Sequence, residues 1–396
     1  MPALVRGNRV ARRTAAFAVS QIREMTRLAD QHGAVNLAQG LPELDPPPAL
    51  LEALRQLPGG PVHQYSYTWG LPALLEVLAG DIAHRWGAPV DPLIEVTVTC
   101  GVSEGLVATM LALIDPGDEV IVLEPVHENY VPAILFAGAS PRFLPLDPPD
   151  FRLDAGVLRA LVTPRTRALL LNTPHNPTGR VFDREELETV RRVCLDHDLL
   201  LITDEIYADL VYSGRHLYPA ALPDLRSRTV ALYGVGKSYS ATGWRLGYVV
   251  APADLSAAIR KVHEYLVICA ATPLQAAVAS AWPAMGEYAA RAAADYRRRR
   301  DTLVTALQEA GLACTSPQAA YYVMADAGGL GFDDDVAAAR TLVTQVGVAT
   351  VPGSSFYPGH PERGRTLLRF VFCKHAETIA EAARRLRAFA AGSGAG

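Results

Sequence analysis

Lysine is scarce in this chain. Only Lys237, Lys261 and Lys374 carry an ε-amine, while arginine is abundant. Lys237 follows the apolar run 229–233 and sits in the stretch Tyr233-Gly234-Val235-Gly236-Lys237-Ser238. An amine placed where a buried strand meets a Gly-rich turn can have its pKa lowered by burial and act as a nucleophile. A lysine there can also be a plain strand cap. Asp204 closes a second apolar run, 199–203, where an ionised carboxylate is costly unless a cation or donor meets it. Arg369 lies inside a third run, 367–370, and its fork fits a carboxylate bidentately. An internal salt bridge would satisfy Arg369 equally well.

Other stretches could hold a small anionic ligand. In 99–104 a strand gives way to a helix, so that backbone N–H groups near Val102 and the Ser103 hydroxyl form an anion cradle. A serine at that position can also be an ordinary helix cap. In Asn172-Thr173-Pro174-His175-Asn176-Pro177-Thr178-Gly179 the prolines and glycine fix a turn and leave Asn176 free to donate a hydrogen bond. Gly40, in 35–42, breaks a short strand and permits either a close backbone approach or a simple turn.

The elements that must position these residues follow from hydrophobic pattern. Continuous apolar runs at 95–100, 119–124, 141–146, 168–172, 199–204, 229–233 and 246–250 read as strands covered on both faces, with helices such as 104–114 and 185–197 between them. That predicts an α/β fold: a large domain with a mostly parallel seven-stranded sheet, its ligand beyond the strand carboxyl ends. A helix at 20–28, a helix starting near 49, a long helix at 274–311, strands at 320–324 and 367–372, and helices at 334–346 and 377–390 complete the pattern. The later ones form a smaller α+β domain. The expected division is 1–48 as N-terminal arm and part of the small domain, 49–287 as the large domain, and 288–396 as the C-terminal small domain.

Composition narrows the function. Half the residues are hydrophobic and 20% are charged, as in a soluble globular protein. A net charge of -4 gives no electrostatic case for nucleic acid, and no apolar run approaches the roughly 20 residues that span a membrane. Arg6, Arg9, Arg12 and Arg13 precede no apolar leader, and the five cysteines are scattered without a C-x-x-C pair. Both features lead us to expect a cytoplasmic protein with no structural metal.

The segment 234–247, read as x-x-x-K-x-x-x-x-T-G-W-R-x-G, together with N-x-P-x-N-P-T-G at 172–179, resembles the fold-type I (class I/II) pyridoxal-phosphate-dependent aminotransferases. The likeness spans about 20–386 and is nearest to the kynurenine aminotransferase, cysteine-conjugate β-lyase and succinyldiaminopimelate aminotransferase group. It implies a pyridoxal 5′-phosphate cofactor held covalently by Lys237, amino-acid and 2-oxo-acid substrates, and exchange of an α-amino group between them. In that reading Asp204 faces the pyridine nitrogen, and Tyr207 and Asn176 meet the ring oxygen. Val102, Ser103 and Arg245 hold the phosphate, and Gly40, Asn176 and Arg369 meet the substrate. The family is a homodimer, and Tyr65 matches the tyrosine that reaches the partner subunit's phosphate. Two positions depart from the family pattern. Gly234 stands where a phosphate-binding serine is usual, and His127 stands where an aromatic ring stacks on the cofactor. An imidazole of ordinary pKa could stack and also exchange protons, which would suit β- or γ-elimination or replacement as an alternative chemistry.

Overall fold

The computed structural model describes residues 20–393; Arg6, Arg9, Arg12 and Arg13 and the last three residues lie outside it. Thirteen strands are named in chain order: β1 (Val35–Asn36), β2 (Val96–Thr99), β3 (Glu119–Glu124), β4 (Ser140–Pro145), β5 (Thr166–Asn172), β6 (Leu200–Asp204), β7 (Thr229–Gly234), β8 (Gly247–Val250), β9 (Ala313–Cys314), β10 (Tyr322–Asp326), β11 (Val348–Ala349), β12 (Val351–Pro352) and β13 (Leu367–Val371). The seven-stranded sheet runs β2-β8-β7-β6-β5-β3-β4, parallel except for β8, which is antiparallel to both neighbours.

Both faces of this sheet are covered, which is why its strands are continuously apolar. Val120, Val122, Leu170 and Ile202 point to one face, under the helices Gly101–Leu113 and Ala253–Val267. Ile121, Leu123, Leu169 and Leu201 point to the other, beneath Arg184–Asp196. Pro72–Trp86 covers the far end of that second face over Val96, Val98 and Tyr233. Parallel pairing aligns the carboxyl ends: Asn172 of β5 stands opposite Asp204 of β6, and Asp204 opposite Leu232 of β7. Three strand ends therefore open on one crevice, with Lys237 just beyond the third.

A four-stranded antiparallel sheet, β12-β13-β10-β9, forms the core of the smaller unit. The N-terminal segment joins it, because β1 pairs in parallel with β11. The expected strand at 35–42 is only two residues long. Asn36 Oδ1 accepts from the N–H groups of Ala38 and Gln39, turning the chain before the strand can continue. The long helix is Thr272–Glu309, and the expected boundary at 287/288 falls inside it. We propose that this helix belongs to both domains, its first half packing on the large sheet and its second on the small unit.

One buried ion pair ties the crevice loop to the scaffold. Arg180, directly after the 172–179 turn, donates through Nη1 and Nη2 to the two oxygens of Glu186, at 2.7 and 2.6 Å. Glu186 also accepts from the backbone of Leu153 and closes the capping box with Asp183. Its side chain is 3% exposed and that of Arg180 12%, so removing it leaves a largely buried guanidinium with the Phe151 carbonyl as its remaining hydrogen-bond partner among the described residues. Glu186→Ala should cost roughly 3–5 kcal/mol, and Glu186→Gln less, in urea denaturation. A loss below about 1 kcal/mol for the alanine variant would contradict this account.

Candidate active site

The crevice is a cavity of about 440 Å³ lined by Val102, Ser103, His127, Asn176, Asp204, Tyr207, Lys237 and Arg245, among others. Eight residues singled out from sequence thus share one space. Lys237 rides on the four-residue helix Val235–Ser238 at the end of β7. That helix is anchored from behind: Ser238 Oγ donates to Asp209 Oδ2 at 2.7 Å, Asp209 pairs with Arg85, and Arg85 pairs with Asp81. The lysine is therefore no mere strand cap. Burial lowers its pKa, with Arg245 and Arg369 adding to the effect and Cys373 and Asp204 opposing it.

Asp204 is 4% exposed and meets Tyr130 Oη at 2.7 Å and the Ile206 N–H at 3.2 Å. Burial raises its pKa to about 6, against these donors and the nearby Lys237. Asn172 links this strand end to the next one, donating to the Asp204 carbonyl and accepting from the Asn176 N–H. Tyr207 lies one turn beyond Asp204, its hydroxyl 2.8 Å from that of Tyr322.

The anion cradle depends on a close approach. Gly101 has φ +76°, and a Cβ there would fall 2.8 Å from Arg245 Nη2. Only glycine leaves the guanidinium against the first turn of Gly101–Leu113. Ser103 does not cap this helix; Glu104 Oε2 instead accepts from the Cys100 N–H, and Ser103 Oγ accepts from Asn129 Nδ2.

Arg369 is 1% exposed and forms no salt bridge among the described residues. It donates to Asn176 Oδ1 at 3.3 Å and to the Ala38 carbonyl at 2.8 Å, and lies between the rings of Tyr322 and Phe356. Its Nε has no partner. Gly40 packs beside this group, where a Cβ would meet Tyr322 Oη at 2.8 Å. Tyr65 is 76% exposed and lines a separate hollow with Tyr67 and Leu71, so a single chain does not bring it to Lys237.

His127 lines the cavity, and its Nδ1 is 3.3 Å from Asn176 Nδ2. Burial, with Lys237 and Arg369 beside it, lowers its pKa to about 3. Proton exchange at an ordinary imidazole pKa finds no support in this environment. Sequence reasoning assigned no role to Tyr130 or Tyr322. Tyr130 lies three residues after His127, but its contact with Asp204 depends on how two strands are juxtaposed. Tyr322 reads as strand core.

Asp204 also sets a pH dependence. The folded chain keeps this carboxyl protonated up to about 6, whereas the unfolded chain releases the proton near 3.8, so folding takes up a proton between those values. Without a ligand, this carboxyl's contribution to stability should fall by roughly 2 kcal/mol as pH rises from about 4 to about 7. Urea denaturation across that range should show the stability of Asp204→Asn gaining on the parent as pH rises. A constant difference would refute the shift.

The sequence matches the family model "Aminotransferase class I and II" over residues 32–386. It is 38% identical over 386 residues to the probable N-succinyldiaminopimelate aminotransferase DapC of Mycobacterium tuberculosis, covering 94% of this chain and 97% of that protein. It is 38% identical over 366 residues to the methionine aminotransferase of Escherichia coli, covering 92% and 94%. The solved structure of the Mycobacterium tuberculosis N-succinyldiaminopimelate aminotransferase superposes with a TM-score of 0.92 at 38% identity, covering 96% of this chain and 100% of that one. With Lys237, Asp204 and Asn176 around one cavity and Arg369 bonded to Asn176 at its edge, the chain belongs to the class I and II aminotransferases and is an aminotransferase.

Proposed function

We propose that this enzyme uses pyridoxal 5′-phosphate held covalently on Lys237, and that it transfers α-amino groups from amino acids with uncharged side chains to 2-oxo acids. The observation that carries this reading is the Lys237 amine sharing a cavity with the buried Asp204 carboxylate and with a cradle that any side chain at Gly101 would fill. The donor set fits the cofactor: Arg245, Ser103 and the Val102 N–H for its phosphate, Asp204 for its pyridine nitrogen, Asn176 and Tyr207 for its ring oxygen. Bound there, pyridoxal phosphate supplies an electron sink for charge developing at the substrate Cα. Arg369 and Asn176 orient the substrate carboxylate beside Gly40, and the lowered pKa of Lys237 suits it to take the Cα proton. Beyond Lys237, Arg245 and Arg369, no cation lines the site among the described residues, which argues against acidic side chains.

We also read the enzyme as a homodimer in which Tyr65 of the partner subunit completes the phosphate site. Exposed Tyr65, Tyr67, Tyr265 and Ile268 support a covered face. Five free cysteines and the lack of a membrane-spanning helix among the described residues agree with a cytoplasmic location. Borohydride reduction followed by peptide mapping tests the covalent assignment, and the label is expected on Lys237. Lys237→Ala should bind pyridoxal phosphate noncovalently and lose turnover. Label on Lys261 or Lys374 would overturn the reading.

Gly234 offers a separate test. Its φ of -153° suits any residue, and a Cβ would lie 3.0 Å from Ile206 Cδ1 and 3.3 Å from Val102 Cγ2. These flexible apolar ends can yield by a few tenths of an ångström. Gly234→Ser should add a hydroxyl to the phosphate site and tighten cofactor binding about tenfold in equilibrium titration. Unchanged or weaker binding in a folded variant would show that Gly234 does not stand in a ligand's place.

A further inference from the structure

Three side chains fix a hydrogen-bond chain across the cavity. Arginine can only donate, so the Asn176 atom 3.3 Å from Arg369 Nη1 must be the carbonyl oxygen. The amide nitrogen then faces His127 Nδ1, also at 3.3 Å, and an amide nitrogen also only donates. His127 Nδ1 must therefore accept, and a neutral ring must carry its proton on Nε2. Turning the amide around would set donor against donor at Arg369, and turning the ring around would replace the acceptor with a Cδ2–H. Nε2 has no hydrogen-bond partner among the described residues and is not among the unpartnered polar atoms sealed from solvent, and the residue that carries it lines the cavity. Around the ring stand the basic side chains of Lys237 and Arg369 and the edge of Tyr130 at a centroid separation of 5.4 Å; the adjacent Glu128 is exposed.

We propose that His127 is a specificity-determining residue: a neutral imidazole locked by Asn176 as the Nε2–H tautomer, whose free N–H selects amino acids with an uncharged acceptor oxygen on the side chain. The substrate part of this proposal rests on the aminotransferase site described above; the tautomer does not. A phenyl ring in this position would stack and offer no donor. An imidazole N–H left unpaired in a closed site penalises a hydrocarbon side chain, and one that meets an oxygen does not. Asn176 joins this donor to Arg369, so the groups that meet the substrate's carboxylate and its side chain are held in one frame.

Two measurements decide the matter on the intact holoenzyme. In ¹⁵N NMR of histidine-labelled enzyme without substrate, the His127 signals, assigned by their loss in His127→Phe, should show a protonated Nε2 and a bare Nδ1. They should not change between about pH 5.5 and about pH 8. An Nδ1–H tautomer, or an imidazolium within that range, would overturn the proposal. The second measurement compares kcat/KM for homoserine and norvaline, which match in size and differ by hydroxyl for methyl. The homoserine-to-norvaline ratio should fall about tenfold in His127→Phe and recover in part in His127→Gln, which restores an N–H donor. A ratio equal in parent and phenylalanine variant would overturn the specificity role even if the tautomer is as stated. Absence of turnover with every amino acid in the parent would sink the functional reading and the specificity role together, while the NMR result would still decide the tautomer.

Discussion

Asp204 stands at the carboxyl end of an apolar strand with almost no access to water, and it forms no salt bridge among the described residues. A carboxylate so placed is tolerable only when donors are aimed at it. The structure supplies Tyr130 Oη and the Ile206 N–H, and these leave its pKa raised. A cationic ring nitrogen brought into the same cavity would complete the compensation. Much of the surrounding architecture serves this constraint. Parallel pairing places Asn172 beside Asp204, and Asn172 in turn holds Asn176 by its backbone. The helix that supplies Tyr130, Tyr130–Phe136, begins just beyond the end of β3.

Lys237 is held differently. Among the described residues no hydrogen bond restrains its side chain; instead the short helix beneath it is fixed through Ser238, Asp209, Arg85 and Asp81. This chain of charges runs on the side of the helix away from the cavity. An amine that must react should not be committed to a salt bridge, so rigidity is better placed in its support than in its own contacts. The same separation appears at the anion cradle. The Arg245 guanidinium approaches the first helical turn because Gly101 has no side chain, and it is oriented by the Thr242 carbonyl at 3.0 Å.

The large sheet was legible because strands buried on both faces must be apolar throughout, and seven such runs stood out between turn residues. Strand order and the reversal of β8 were not, since pairing depends on crossovers that no local pattern encodes. At the site, Lys237, Asn176 and Arg245 were visible because each sits in a motif with glycine or proline at fixed spacing, and Asp204 because a carboxylate closing an apolar run stands out. Tyr130 and Tyr322 were not, because a tyrosine within an apolar stretch reads as core whether or not its hydroxyl faces a ligand. Arg85 and Asp209 are distant in sequence from Lys237 and from each other, and only the fold brings them behind it. The pattern at 35–42 suggested more strand than exists, because the Asn36 side chain ends it.

Arg369 links the two sheets at the site. It comes from β13 of the small sheet, opposite Met324, while its partner Asn176 comes from the loop after β5 of the large one. Two aromatic faces and two carbonyl oxygens surround the guanidinium, but none carries a full negative charge. These contacts make burial tolerable and leave the arginine electrostatically incomplete, with burial lowering its pKa against the pull of nearby oxygens. An internal carboxylate would have satisfied it and closed the site. In the proposed function a substrate carboxylate would supply that charge on docking, its attraction undiminished by a resident competitor. Because the docked group would bridge residues from both sheets, binding energy gained at the carboxylate is available to draw the two units together around the reacting carbon.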